Sequence, residues 1–162
     1  MTRRSELAKA AMMGAAAGLV GVAVMTAGEK LEQSLTRRPN SSMPARTLRA
    51  LLGQRPSDAP QSPLWNHAMH WGTGALLGAL RGVWSVTGMR GASATAQHAV
   101  VRLAFDQTLE NGTGVGAPPQ TWPRSELALD LLHKGVYSLV TGIVADRLIA
   151  PPLRSQRGRT SH

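Results

Sequence analysis

The 162-residue chain contains no cysteine. Disulfide bonds, thiolate metal ligands and cysteine nucleophiles are therefore excluded, and the redox compartment stays undecided. Aromatic residues are also scarce: four Trp, one Tyr and one Phe make up 4% of the sequence. A water-soluble core of this size normally uses more Phe and Tyr, because their rings bury large apolar areas. Small residues, including 17 glycines, take their place, which is typical of helices packed closely in lipid.

Acidic residues are the other scarce class. Nine Asp and Glu face 18 Lys and Arg, which gives a formal charge of +9. A nucleic-acid-binding surface would need these cations in one stripe on a folded face, but they are dispersed among tails and loops. The sequence therefore predicts no nucleic-acid partner, and its arginine excess indicates contact with anionic membrane lipid.

The first long apolar stretch covers residues 10–28, which carry no charge. Its 19 residues are close to the ~20 needed to cross ~30 Å of hydrocarbon. A basic segment before an apolar run also occurs in signal peptides, but Met25 makes the following small residues a poor cleavage site. We predict an uncleaved spanning helix over residues 7–34.

Three further helices follow from periodicity, proline and glycine. Ser62 as N-cap and Pro63 at the first helical position predict a helix start, and Ser125 is the expected N-cap of the last helix. The predicted ranges are 63–87, 92–111 and 125–149, with a short basic amphipathic helix lying in the membrane interface at about 45–52.

The expected fold is an all-α, four-helix integral membrane bundle over residues 1–152, followed by a basic disordered tail at 153–162. Two alternatives remain open. The third long helix could lie in the interface, which would leave three spans, or the chain could be a soluble helical protein.

Glycines recur at four-residue spacing in two helices, a pattern typical of close helix packing in membranes. The residues are Gly14, Gly18, Gly74, Gly78 and Gly82. We expect them to form packing seams, and we expect a homo-oligomer, or a complex with another membrane protein, through Gly74, Gly78 and Gly82.

Four spans would place both termini on one side. Each side then holds eight of the Lys and Arg residues outside the helix interiors, so the positive-inside count does not decide the orientation. Two acids lie on the terminal side and seven on the other. The resulting net charges of +6 and +1 favour cytoplasmic termini, and the Arg- and Ala-rich composition favours a bacterial inner membrane.

Acids and histidines gather at matching helix ends, which the alternating topology would bring to one membrane face. They are Glu29, Glu32, His67, His70, Asp106, Glu110, Asp130 and His133. Four-helix bundles that hold two metal ions draw carboxylate and histidine ligands from all four helices, so a divalent metal is one hypothesis. The alternative is ordinary pairing with nearby Lys and Arg, because the Glu-x-x-His signature of those sites is missing.

A second polar group is expected inside the bundle. His98, Arg102 and Asp106 share one helix face, and with Arg81 they could form a buried ion-pair network between helices. Intramembrane His and Asp also mark proton paths. Structural pairing is the favoured interpretation.

No motif assigns an activity. The sequence contains neither G-x-S-x-G nor H-E-x-x-H. The favoured function is a non-enzymatic membrane subunit or accessory protein. The alternatives are a metal-dependent oxidoreductase or hydrolase acting on a lipid-soluble substrate, and a small proton or ion conductor.

Overall fold

The computed structural model describes residues 2–55 and 61–153. These residues form five α-helices, one 3-10 turn at Pro119–Thr121, and no strand. The helices are α1 (Arg3–Thr36), α2 (Met43–Leu51), α3 (Pro63–Val86), α4 (Gly91–Gly112) and α5 (Arg124–Leu148). The all-α prediction is confirmed. The predicted tail lies outside the described residues except for residue 153.

Local capping explains where the helices begin and end. The Thr2 side chain accepts a hydrogen bond from the Ser5 backbone N–H at 3.3 Å, so α1 begins earlier than its apolar run suggests. Ser62 caps α3 in the same way through the Leu64 N–H, also at 3.3 Å. The prediction that Ser125 caps the last helix is wrong: α5 begins at Arg124 after Pro123 and has no side-chain cap. Proline fixes φ near its helical value, so Pro123 leads directly into the helix.

The glycines bring the backbones of α1 and α3 into direct contact. Gly14 and Gly18 face Gly74, Gly78 and Gly82 in antiparallel order. A Cβ atom on Gly78 would lie 2.5 Å from the Gly14 carbonyl oxygen and 2.6 Å from the Gly18 Cα. The partner of this glycine face is therefore α1 of the same chain, which leaves no room for a second copy there.

The long helices form an antiparallel bundle in which α1 packs against both α3 and α5, and α4 packs mainly against α5. We call the end where α1 begins and α5 finishes the terminal end, and the opposite end the loop end. A tight apolar cluster closes the terminal end, formed by Ala10, Ala17, Val86, Ala145 and Ile149. At the loop end, α2 packs across α3 and α4.

Two of the described helices, α1 and α5, are long and apolar enough to cross a membrane. The other two long helices, α3 and α4, do not meet the same criterion. The prediction of four spanning helices is thus supported by hydropathy for two of them only. The difference arises from polar residues within α3 and α4, whose positions are described next.

Candidate functional site

A cavity of about 810 Å³ opens at the loop end of the bundle. All four long helices contribute to its wall, and the N-terminal turn of α2 and the loop before α5 complete it. Its lining is strongly polar and mixed in charge. The ionisable side chains that line it are Glu29, Lys30, Arg38, His67, His70, Arg102, Asp106, Glu110, Glu126, Asp130, His133 and Lys134.

The outer rim of the cavity is held by ion pairs between α1 and the loop that follows it. Arg38 contacts Glu32 at 2.8 Å and approaches Glu126 of α5 at 3.9 Å. The pairing with Arg38 lowers the pKa of the Glu32 carboxyl. Lys30 donates to Asn40 at 2.5 Å. These contacts fold the chain back over the loop end of α1, toward α2.

Two polar side chains of α3, His70 and Asn66, connect the part of the cavity wall formed by α3 to its neighbours. The His70 ring nitrogen Nε2 lies 3.0 Å from the Thr26 hydroxyl of α1. Asn66 accepts from the Ala45 N–H at 3.1 Å and donates to the Ser41 carbonyl at 3.1 Å. Asn66 therefore anchors the start of α2, which forms one edge of the cavity.

The floor of the cavity is a chain of charges between α4 and α5. Arg102 donates to Asp106 at 3.0 Å, Lys134 lies 3.3 Å from Asp106, and Lys134 also contacts Asp130 at 2.8 Å. Arg102 and Lys134 are 4% and 7% exposed. Two cations and two anions alternate, so the floor carries no net charge.

Two polar groups at the cavity, one on Glu110 and one on Arg102, have no partner in this chain of charges. Within the described chain, no hydrogen bond or ion pair engages the Glu110 carboxyl, and burial raises its pKa to about 7. The Nη1 atom of Arg102 is buried and also lacks a hydrogen-bond partner. Both side chains also line a separate chamber of about 40 Å³ beneath α2.

A second charged cluster lies at the terminal end, on the far side of the bundle. Arg81, with no exposed surface, donates to Asp146 at 2.8 Å and to Ser85 at 2.5 Å. The Gly91 N–H also donates to Asp146, at 2.8 Å, and Arg90 donates to the carbonyls at the end of α5. This cluster ties together α3, the start of α4 and the end of α5.

Neutral polar groups occupy the interior between the two clusters. The Tyr137 hydroxyl donates to the Gly74 carbonyl at 2.7 Å, and His98 Nε2 lies 3.0 Å from the Leu77 carbonyl oxygen. The Arg102 guanidinium lies 4.9 Å from the centre of the Tyr137 ring. These contacts join α3 to α4 and α5 in the interior of the bundle.

The eight residues that were hypothesised to bind a metal are not all brought together at one place. Seven line the cavity, while Glu32 turns to Arg38 instead. Over residues 2–55 and 61–153, no group of three or more His, Asp or Glu side chains could hold a metal ion. Asp106 and Asp130 are occupied by cations, and His70 by a hydroxyl, so the described residues provide no ligand cluster for a divalent metal.

The predicted network of Arg81, His98, Arg102 and Asp106 is divided between the two clusters. Arg102 pairs with Asp106, but Arg81 pairs with Asp146, and His98 bonds to backbone. The roles of Asp146, Lys134 and Tyr137 were not predicted from the sequence. Only their unusual position inside an apolar helix pointed to a buried role.

No known protein family, characterised protein or solved structure is detectably similar to this chain.

Proposed function

We propose that this chain is an integral membrane protein in which all four long helices span the bilayer, and that it acts as a non-enzymatic membrane component. The observation that carries the proposal is that charged side chains are buried inside the bundle, while the surface around its middle is uncharged. In four aligned segments, residues 10–28, 71–86, 96–108 and 131–146, every exposed residue is uncharged. We call these segments the apolar band.

The exposed side chains of the band include many large apolar groups. They are Met12, Leu19, Val20, Val24, Leu76, Val100, Leu131, Leu132, Leu139 and Ile143. In water, a surface this rich in exposed apolar side chains, interrupted by the uncharged Gln97 and Thr108, would drive aggregation. In lipid the same surface is favourable, and buried charges facing one another are the expected arrangement.

The low hydropathy of α3 and α4 is compatible with spanning. Arg81 in α3 and His98, Arg102 and Asp106 in α4 are among the residues that lower it, and all four are buried in the bundle. In addition, only 39% of the apolar window of α1 and 28% of that of α5 is buried within the chain. A soluble core helix would be mostly covered, so these proportions support a lipid-facing surface.

Pairing of the buried charges supports a structural role over the two alternatives. Four of the eight candidate metal ligands, Glu32, His70, Asp106 and Asp130, are engaged by Lys, Arg or Thr partners, which disfavours the enzyme. For a cation conductor, the charges of Arg81 and Arg102 both act on His98 in the interior. Fixed guanidinium groups along a path repel cations and protons, so these two residues disfavour conduction.

Single-cysteine labelling tests the proposal, because the chain has no native cysteine. We would compare Gln120→Cys in the loop before α5, Ala92→Cys in the first turn of α4, and Val100→Cys within the band, all at exposed positions. With termini in the cytoplasm of a bacterium, a membrane-impermeant maleimide added to intact cells should label position 120 only. Position 92 should react after permeabilisation, and position 100 only after denaturation.

The same variants decide against the proposal if position 100, which is 64% exposed in the bundle, reacts in native membranes as fast as position 120. Recovery of the protein in the supernatant after detergent-free sedimentation would contradict it independently. Labelling of 92 from outside and 120 from inside would reverse the orientation but keep the four spans.

A further inference from the structure

The loop-end cavity contains one unused cationic donor and one unused carboxyl group. Arg102 is held by Asp106 and by the face of Tyr137, which fixes its guanidinium and leaves Nη1 without a partner. A group fixed in advance binds a ligand without losing conformational freedom, which favours affinity. A buried donor left unsatisfied costs about 1–3 kcal/mol, so a ligand atom at Nη1 would relieve a real penalty.

Glu110 supplies the opposite charge. It lies eight residues after Arg102 on α4, about 12 Å further along the helix axis, and therefore nearer the cavity mouth. Both side chains line the same chamber of about 40 Å³, which shares five lining residues with the main cavity. The two unused groups thus line both spaces without bonding to each other.

The numbers of positive and negative side chains that line the cavity limit the kind of ligand that can bind there. Four Lys or Arg and five Asp or Glu side chains line the cavity, so neither a simple anion nor a simple cation matches it. A molecule carrying both charges would. A quaternary ammonium group would need an aromatic cage, but Trp122 is the only aromatic side chain among the described lining residues. A primary ammonium, which donates hydrogen bonds to a carboxylate, fits Glu110 better.

We propose that this cavity binds a zwitterion in which a phosphate or carboxylate lies a few bonds from a primary ammonium. The anionic group accepts from Arg102 Nη1, and the ammonium donates to the Glu110 carboxylate. The volume of about 810 Å³ falls within the usual range for small-molecule sites. Two sources share this chemistry: the head group of an aminophospholipid, and a soluble amino-phosphate or amino acid. Only the lipid source depends on the proposed membrane location.

The binding test uses detergent-solubilised protein and isothermal titration with O-phosphoethanolamine. Inorganic phosphate and ethanolamine supply the two halves separately, and phosphocholine supplies a zwitterion without N–H donors. We expect O-phosphoethanolamine to bind at least tenfold more tightly than any of the other three. Equal affinity for phosphate alone would overturn the proposal, and so would no binding by any probe combined with no stabilisation by phosphatidylethanolamine in nanodiscs.

The Glu110→Gln variant tests the assigned carboxyl. Because Glu110 has no partner among the described residues, removing its charge breaks no ion pair, and the variant should fold normally. We expect it to lose at least tenfold in affinity for O-phosphoethanolamine while its affinity for phosphate stays unchanged. Glu6→Gln, the same change in the first turn of α1 at the terminal end, is the control and should bind like wild type. An unchanged affinity in Glu110→Gln would contradict the assignment.

The proposed pair also gives a pH dependence. The carboxyl must be ionised to receive the ammonium, so affinity should rise as pH increases from about 5.5 to 8, through the pKa near 7. Glu110→Gln should flatten this profile, and a pH-independent wild type would contradict the pairing. The charged groups that act on Glu110 from α4 and α5 are Arg102, Asp106, Asp130 and Lys134, and His70 of α3 lines the same chamber.

An experiment in lipid nanodiscs distinguishes a lipid ligand from a soluble one. We would reconstitute the protein in nanodiscs of phosphatidylcholine with added phosphatidylethanolamine or phosphatidylglycerol, and measure thermal unfolding. Stabilisation by the ethanolamine lipid alone, lost in Glu110→Gln, supports a lipid ligand. Stabilisation by soluble O-phosphoethanolamine alone supports a soluble one. Stabilisation by neither opposes the site but leaves the membrane proposal standing, since cysteine labelling tests that separately.

Discussion

Replacing Gly78 with leucine is expected to abolish the folded bundle. The Cβ atom alone would lie 2.5–2.8 Å from three backbone atoms of Gly14 and Gly18. Backbone cannot move aside as a flexible side chain can, so α1 and α3 would have to separate along their whole seam. Overpacking of a core by a methylene or two commonly costs about 1–3 kcal/mol, and leucine at a backbone contact should exceed that range.

The measurement is the yield of monodisperse protein on size exclusion in mild detergent, followed by thermal unfolding by circular dichroism. Gly72→Leu is the matched control. It lies in the same helix, and a Cβ there would meet nothing within 4 Å. We expect Gly72→Leu to retain the elution volume and melting temperature of the wild type. A Gly78→Leu protein that behaves like this control would show that α1 and α3 do not touch as described.

Neutralising Asp146 should have the second-largest effect. Asp146→Asn leaves Arg81 with no exposed surface and with its nearest carboxylate, at 2.8 Å, removed. Breaking one partner of a buried ion pair typically destabilises a protein by about 3–5 kcal/mol, because the other charge remains buried and uncompensated. Arg90, which lies 4.0 Å from Asp146 in the wild type, would then repel Arg81.

A double variant separates the charge from the packing. Arg81→Met combined with Asp146→Leu removes both charges and should recover most of the stability lost in Asp146→Asn, since paired charges contribute little net stability over apolar replacements. Glu126→Gln is the control. Its partner Arg38 is 3.9 Å away and its side chain is 46% exposed, so a change of less than about 1 kcal/mol is expected. Equal losses in Asp146→Asn and Glu126→Gln, measured by titration with sodium dodecyl sulfate, would refute the buried pair.

The helices themselves were accessible from sequence because their signals are local. Pro63 after Ser62 marks the start of α3, and the left-handed Arg37, with φ of 60°, explains why α1 ends near the predicted position. The N-cap at Thr2 was not predicted, because a cap depends on a single side-chain hydrogen bond. A hydropathy pattern carries no information about single hydrogen bonds. The glycine spacing likewise indicated a close helix contact, but only the structure identifies α1 as the partner of Gly78.

Most of the candidate residues lie at one end of the bundle, because alternating helix direction alone brings Glu29, His70 and Asp130 to the same level. What the sequence left open was the rotation of each helix about its axis. That rotation decides that Arg81 meets Asp146 and that Asp106, which pairs with Arg102 on its own helix, also meets Lys134. Once these cations are in place, Asp106 and Asp130, two of the acids that looked available for metal, are already paired.

The separation of Arg81 from Asp146 along the chain has a consequence for biogenesis. The two residues are 65 positions apart, so at about 5–20 residues per second the ribosome adds the aspartate roughly 3–13 s after the arginine. In the proposed four-span arrangement, α3 carries a cation without its counter-ion throughout that interval, and at the centre of a spanning helix such a cation has an apparent insertion cost of about 2.5–3.5 kcal/mol. Nascent chains arrested before α5 should therefore leave α3 resting at the translocon, and its entry into lipid should follow the release of its partner helix.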